Sequence, residues 1–470
     1  MIARLAVVLG LFSVLVFSAR SETATPLYEE RDPIPAEVYI PNAAKRVACF
    51  MTINSVEEKQ TFTRYLNPAD WDLVELVGQT PGAPTSGWID AVCRSGLQCD
   101  IEVVSGHFAG NFFGKSGYTL SLDEMNAHSC AVDCAGILNH PREVYLFGCN
   151  TLAGKDHDSR TPQEYFDVLI ADGIPRDQAA RIVEDRYSPF GQDNRGKMQR
   201  SFAGVPYLYG FYSKSPLGAA IQPVLQKYFK SLGDYTAHFD RIVAAGSNAE
   251  TAPNAVLGKL LDGYNFYQTP GLDPKSPEYE AYLPVCELSD ARTPIPARMD
   301  TAIELIGSDR LISLLPSLET FFRQNYTEIH EKAADRLRII QGMTKARETF
   351  LGSIDSVFLF ATKLRWVRFA RELGWLSEPD LDARLPDLVA KKFAETPVLP
   401  AIGPEVCGVG YHRFLALDFS SSLANLREEH WRSRSAIRAM GCLGLVRYPA
   451  FKTAYLARLG SRSSRTRGDT

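Results

Sequence analysis

Beyond its first twenty residues the chain holds no long uninterrupted apolar run. A membrane-spanning helix needs about 18–20 such residues, so none is expected later in the sequence. An excess of either charge is also missing: 51 Lys and Arg stand against 55 Asp and Glu, for a net charge of −4. That balance excludes the broad basic footprint of a nucleic-acid binder. No Cys-x-x-Cys pair occurs among the nine cysteines, which argues against a zinc ribbon or finger. The Gly110–Gly117 stretch ends in Gly-Lys-Ser-Gly but does not match the phosphate-cradling G-x-x-x-x-G-K-S pattern. No cofactor is expected from any motif.

What is present starts with a targeting pattern. Met1-Ile2-Ala3-Arg4 is basic, Leu5 to Phe17 is apolar, and Ser18-Ala19-Arg20-Ser21 offers small residues for cleavage. Residues 1–21 therefore read as a secretory signal peptide, with an uncleaved anchor as the alternative. Export implies an oxidising compartment, periplasmic or extracellular, where disulfides persist. With Cys149 set aside, eight cysteines remain: Cys49, Cys93, Cys99, Cys130, Cys134, Cys286, Cys407 and Cys442. Eight allow four bridges, whose connectivity a sequence does not give. Cys93 and Cys99 flank a Ser-Gly turn and form a candidate local pair. The cluster His128, Cys130, Cys134 and His140 has loose spacing for a metal, so disulfides or buried thiols are expected there and no metal.

Residues 22–45, rich in Pro, Glu and Thr, read as an extended lead-in. From Arg46 an α/β pattern sets in. Arg46–Asn54, Trp71–Val77, Ile101–Gly106, Glu143–Gly148 and Val205–Tyr212 are short apolar runs bounded by turn residues, as buried strands are. Between them lie amphipathic stretches. One opens at Ser55 with Glu58 in capping-box spacing, and one opens at Thr161-Pro162 with proline at the first helical position. Alternating strands and helices imply βαβ units and a mostly parallel sheet.

Two of the runs deliver reactive residues. Ile101–Gly106 leads to His107, and Glu143–Gly148 leads to Cys149. In open parallel sheets ligands bind beyond the carboxyl ends of the strands. Neighbouring strands would set an imidazole beside a thiol there, the pairing that cysteine-nucleophile chemistry uses.

This order, with histidine closing the third strand and cysteine the fourth, resembles the caspase–hemoglobinase fold of cysteine peptidases. Leu146-Phe147-Gly148-Cys149-Asn150-Thr151 is similar to the apolar-small-Cys-Asn-Thr segment of CHAT-type members. Gly204-Val205-Pro206-Tyr207-Leu208-Tyr209-Gly210 resembles the strand that follows the cysteine in that group. The resemblance covers roughly residues 46–232. It implies a caspase-like three-layer α/β sandwich and an endopeptidase using a Cys149–His107 dyad and a thioester intermediate. The backbone N–H groups of Phe108 and Cys149 would bind the oxyanion. The family carries glycine directly after its histidine, where this chain has Phe108. An inactive relative serving as an interaction scaffold is the alternative.

The charged loop Gly154–Arg160 follows the cysteine. Asp156 and Asp158 are candidates for meeting a basic substrate side chain, a solvated loop being the other reading, and His157 is a second candidate base. The α/β domain is expected over 46–298, its last part irregular. An α-helical domain spans 299–460, a surface for a protein partner, and a disordered Arg/Ser-rich tail covers 461–470. The partners implied are a protein or peptide substrate, with no nucleic acid and no membrane span after signal removal.

Overall fold

A computed structural model of the chain describes residues 27–456 apart from 79–86, 156–159, 189–190, 246–253, 396–403, 421–422, 424–433, 450 and 454. Residues 1–21, expected as a signal peptide, and the tail expected over 461–470 lie outside the described residues. Among the described residues no helix is long and apolar enough to cross a membrane.

The strands are β1 (Ile34–Pro35), β2 (Arg46–Thr52), β3 (Trp71–Glu75), β4 (Ile101–Ser105), β5 (His107–Phe108), β6 (Asn111–Phe113), β7 (Leu120–Ser121), β8 (Glu143–Phe147), β9 (Tyr207–Phe211) and β10 (Phe266–Thr269). Seven of them form one sheet in the order β1-β3-β2-β4-β8-β9-β10. Every pair in it is parallel except β9–β10, which is antiparallel. Strands β4 and β8 are buried at every position, the mark of a central parallel strand covered on both faces.

Helices cover both faces. In chain order the α/β part contains α1 (Glu57–Tyr65), α2 (Trp88–Cys93), α3 (Leu122–Ser129), α4 (Ala135–Leu138), α5 (Pro162–Ala171), α6 (Arg176–Tyr187), α7 (Asn194–Ser201), α8 (Gln222–Leu232) and α9 (Tyr235–Ala245). Alternate strand residues divide between the layers. Cys49, Met51, Val104, Val144 and Leu146 pack with α2, α3, α4 and α7. Ala48, Phe50, Val103, Tyr145 and Phe147 pack with α1, α8 and α9. The strand period of two thus fills two cores at once. Thr161 and Pro162 start α5 with proline at the first helical position, as the sequence leads one to expect, and Glu164 completes a capping box with Thr161.

A helical region follows, running from Leu283–Ser289 to Arg434–Cys442. Its core joins Tyr282, Val285 and Leu288 to buried residues from Ile295 to Phe451. The Cys130–Cys286 disulfide ties this region to the end of α3 across a sequence separation of 156. By loop-closure entropy a link of that span stabilises by about 5 kcal/mol. Lys197 on α7 bridges Asp123 of α3 at 3.0 Å and Asp185 of α6 at 2.5 Å, beside the same seam.

The cysteines pair four ways: Cys49–Cys99, Cys93–Cys134, Cys130–Cys286 and Cys407–Cys442. The local Cys93–Cys99 pair expected from the turn is therefore not formed. The sheet decides otherwise. β2 and β4 are neighbours, so Cys99, just ahead of β4, meets Cys49 on β2. Cys93 at the end of α2 turns to Cys134 at the head of α4.

Two buried carboxyls stand in the sheet. Glu102 on β4 is fully buried and finds no hydrogen-bond partner among the described residues; burial pushes it well above the carboxylate range. Glu143, opening β8, accepts from the hydroxyls of Tyr209 at 2.8 Å, Tyr145 at 3.1 Å and Tyr235 at 2.5 Å. Burial outweighs those bonds and raises its pKa to about 7. A raised native pKa means the native state holds this proton more tightly than the unfolded chain. Its stabilising contribution is complete below the ordinary value near 4.5 and lost as pH rises through about 7. Urea unfolding at pH 5 and pH 8.5 is expected to show this. Glu143→Gln should remove a pH-dependent loss on the order of 3 kcal/mol, making the variant the more stable protein at the higher pH.

Candidate functional site

The pairing of β4 with β8 sets the site. Ser105 lies opposite Phe147 at the carboxyl ends of the two strands. The Gly106 N–H continues the ladder, donating to the Phe147 carbonyl at 3.0 Å. His107 and Cys149 follow at equivalent steps beyond that last rung. The strand order reverses one step away: β2 connects to β3 on one side and β4 to β8 on the other, so the switch point of this open α/β sheet lies between β2 and β4, next to the edge that His107 and Cys149 follow.

Glycine allows the two tips to meet. A Cβ on Gly148 would stand 2.8 Å from the Cβ of Phe108 and 3.0 Å from the Gly106 carbonyl oxygen. Directly after the cysteine, Asn150 takes a left-handed conformation, φ 60°. Asparagine is one of the few residues with a side chain that visits that region at modest cost. The turn folds back on β9. The Asn150 N–H donates to the Ser213 carbonyl at 2.7 Å and the Leu152 N–H to the Phe211 carbonyl at 2.9 Å. Asn194 Nδ2 donates to the Asn150 carbonyl at 2.9 Å. Gly210 on β9 makes room, since a Cβ there would lie 2.6 Å from Thr151 Oγ1. The result is a sharp strand-to-loop bend that holds up Cys149 at its apex.

Cys149 is half-buried and is the only free cysteine. Its Sγ accepts from the Ser215 N–H at 3.4 Å. Ser215 belongs to the loop after β9, and that loop is pinned from the other side. Glu58 Oε1 accepts from the Gly218 N–H at 3.1 Å, and Glu58 Oε2 accepts from Ser55 Oγ at 2.5 Å. Burial raises the Glu58 pKa. Sequence spacing suggested that Ser55 and Glu58 cap α1; instead the helix starts at Glu57 with no side-chain cap, and Glu58 turns inward to the loop.

His107 does not close β4, which ends at Ser105. It opens β5, in a small antiparallel sheet of order β5-β6-β7. His107 pairs with Phe113 and Phe108 with Phe112. The Ala109 N–H donates to the Asn111 carbonyl at 3.2 Å. By the alternation of antiparallel pairs, the Phe108 N–H then turns away from β6. The His107 ring is exposed and lies 5.5 Å from the Phe113 ring, centroid to centroid. Among the described residues no side chain hydrogen-bonds it. Asp156, His157 and Asp158 lie outside the described residues. The signals missed at the sequence level are Ser215, which acts through its backbone, and Glu58, whose spacing fits a helix cap equally well.

Comparison with family models, with curated proteins and with solved structures finds no match to this chain.

Gly148→Ala is expected to push the two tips apart. Overpacking of this kind costs about 1–3 kcal/mol, read as a lowered urea midpoint. The rate of Cys149 alkylation should change with it, since Phe108 and Gly106 are the groups displaced. A variant matching wild type in both readings would show that the close approach carries no constraint.

Proposed function

We propose that this chain is an exported cysteine endopeptidase of caspase-like fold, using Cys149 as nucleophile and His107 as acid and base. The observation that carries the reading is selective. Eight cysteines are consumed in disulfides, and the one left free stands on a left-handed bend just past the carboxyl end of β8, at the step equivalent to His107 past the paired end of β4. Strained conformations concentrate where geometry serves function. Four disulfides together with the N-terminal pattern support export.

In this mechanism the Cys149 thiolate attacks the scissile carbonyl. The Cys149 and Phe108 N–H groups hold the oxyanion, a contribution of about 3–4 kcal/mol where it has been dissected. His107 protonates the leaving amine, and the thioester is then hydrolysed by water that His107 deprotonates. The Ser215 N–H stabilises charge on sulfur before attack. Phe108 offers the same N–H donor as the family's glycine, with its backbone held by the hairpin. Asp156 and Asp158 remain the candidates for a basic substrate side chain, and the helical region for a protein partner.

A second reading, a scaffold without catalysis, draws on the absence among the described residues of any side chain orienting the His107 ring. Alkylation across pH 5 to 9 without reductant, with the labelled cysteines mapped by mass spectrometry, separates the two. The peptidase reading expects His107→Ala to slow Cys149 labelling near pH 6 by about tenfold or more, as loss of a thiolate-supporting imidazole does. Equal rates in wild type and variant favour the scaffold.

A further inference from the structure

Away from the strand tips, the Cys93–Cys134 disulfide has a third neighbour that a purely structural bridge does not need. One ligand atom each of Cys93, His128 and Cys134 lies within 4.8 Å of the other two. The three come from three elements: Cys93 from the end of α2, His128 from the last turn of α3, and Cys134 from the residue before α4. His128 Nε2 stands 3.3 Å from Asp90 Oδ1, one turn earlier on α2. Both cysteines are buried, while the imidazole is half-buried. A cavity of about 290 Å³ opens over Cys93 and His128, lined also by Asp90, Cys130, Asp133 and Cys286.

We propose that this disulfide is one state of a redox-gated metal site. When reduced, Cys93, Cys134 and His128 bind one soft divalent cation of the zinc class. Two thiolates and an imidazole suit such an ion, whose bonds of about 2.3 Å to sulfur and 2.0–2.1 Å to nitrogen place neighbouring donors roughly 3.3–3.8 Å apart. The observed cluster, whose ligand atoms all lie within 4.8 Å of one another, reaches that spacing once the S–S bond is broken and the two sulfurs part. Asp90 holds Nε2, so the imidazole presents Nδ1 to the metal, the carboxylate–histidine–metal arrangement that fixes ring and tautomer. The fourth position faces the cavity and takes water or an exogenous ligand.

The states interconvert with balanced chemistry. A dithiol reductant gives two electrons and two protons, the S–S bond breaks, and the reductant becomes a disulfide. The cation then displaces both thiol protons to solvent. A disulfide oxidant reverses the sequence and releases the ion. The two states exclude each other because the same sulfurs serve both.

The test uses the full chain carrying Cys149→Ser, which removes the competing free thiol. The protein is reduced with dithiothreitol, desalted without oxygen, and titrated with cadmium as the probe. Ultraviolet thiolate–cadmium absorption reports binding, and alkylation mapped by mass spectrometry reports which cysteines are protected. Cadmium is expected to protect Cys93 and Cys134 by about tenfold or more and to leave the unreduced protein unbound. Asp90→Asn should weaken binding by about ten- to a hundredfold. His128→Ala should abolish protection, and His128→Cys, which restores a third donor, should keep it. The proposal is overturned by labelling of Cys93 and Cys134 that cadmium does not change, by protection that survives in His128→Ala, or by protection confined to Cys130 and Cys286. Loss of near-ultraviolet dichroism on reduction also overturns it, because the three residues then come together only while the disulfide is intact.

Discussion

The constraint on which the rest depends is the parallel pairing of β4 with β8. Five residue pairs, from Ile101 opposite Glu143 to Ser105 opposite Phe147, fix where both strands end. Because side chains alternate along a strand, a slip of one residue would exchange the two cores and carry each tip to the wrong face. The register therefore fixes the packing of both cores and the placement of both strand tips together. It seats Tyr145 and Phe147 among the aromatic groups of α1, α8 and α9, and it brings His107 and Cys149 to the same edge.

Around that edge the chain accepts local costs. Asn150 sits in the left-handed region, and Gly148 and Gly210 lie where any side chain would collide. A buried glutamate, Glu58, holds the loop that lends its N–H to the cysteine. These features are bought by a wide sheet covered on both faces and by four disulfides. Two of those, Cys49–Cys99 and Cys93–Cys134, brace the half of the sheet from which the chain leaves β4 for His107. The opposite end of β8 carries Glu143 and its tyrosines, so one strand bears a buried proton-binding cluster at its start and the free thiol just past its end.

The central strands were legible in the sequence because each is an apolar run too short for a helix, rich in β-branched or aromatic residues and bounded by turn residues. The start of α5 was legible too, since Thr161-Pro162 puts proline at the first helical position, whereas the part Glu164 plays in the cap shows only in the structure. The free state of Cys149 was likewise within reach by parity, eight remaining cysteines being enough for four bridges. Their connectivity was not, because it depends on which strands are neighbours: Cys49 and Cys99 are 50 residues apart and meet only through the β2–β4 pairing. The hairpin carrying His107 and the antiparallel edge β10 escaped for another reason. Strands of two to four residues leave too little periodicity to read, and their pairing is set by the tertiary frame. Ser215 contributes a backbone group, which no side-chain pattern records.

The claim that Cys149 and His107 form a hydrolytic pair is tested most directly by looking for new protein ends. The mature chain, Cys149→Ala and His107→Ala are each incubated with an unfolded mixture of exported proteins, and newly formed N-termini are identified by mass spectrometry. The account expects a recurrent set of cleavage sites with the unsubstituted chain that vanishes in both variants. Cleavage persisting in Cys149→Ala, or no sites above that variant's background, would contradict it.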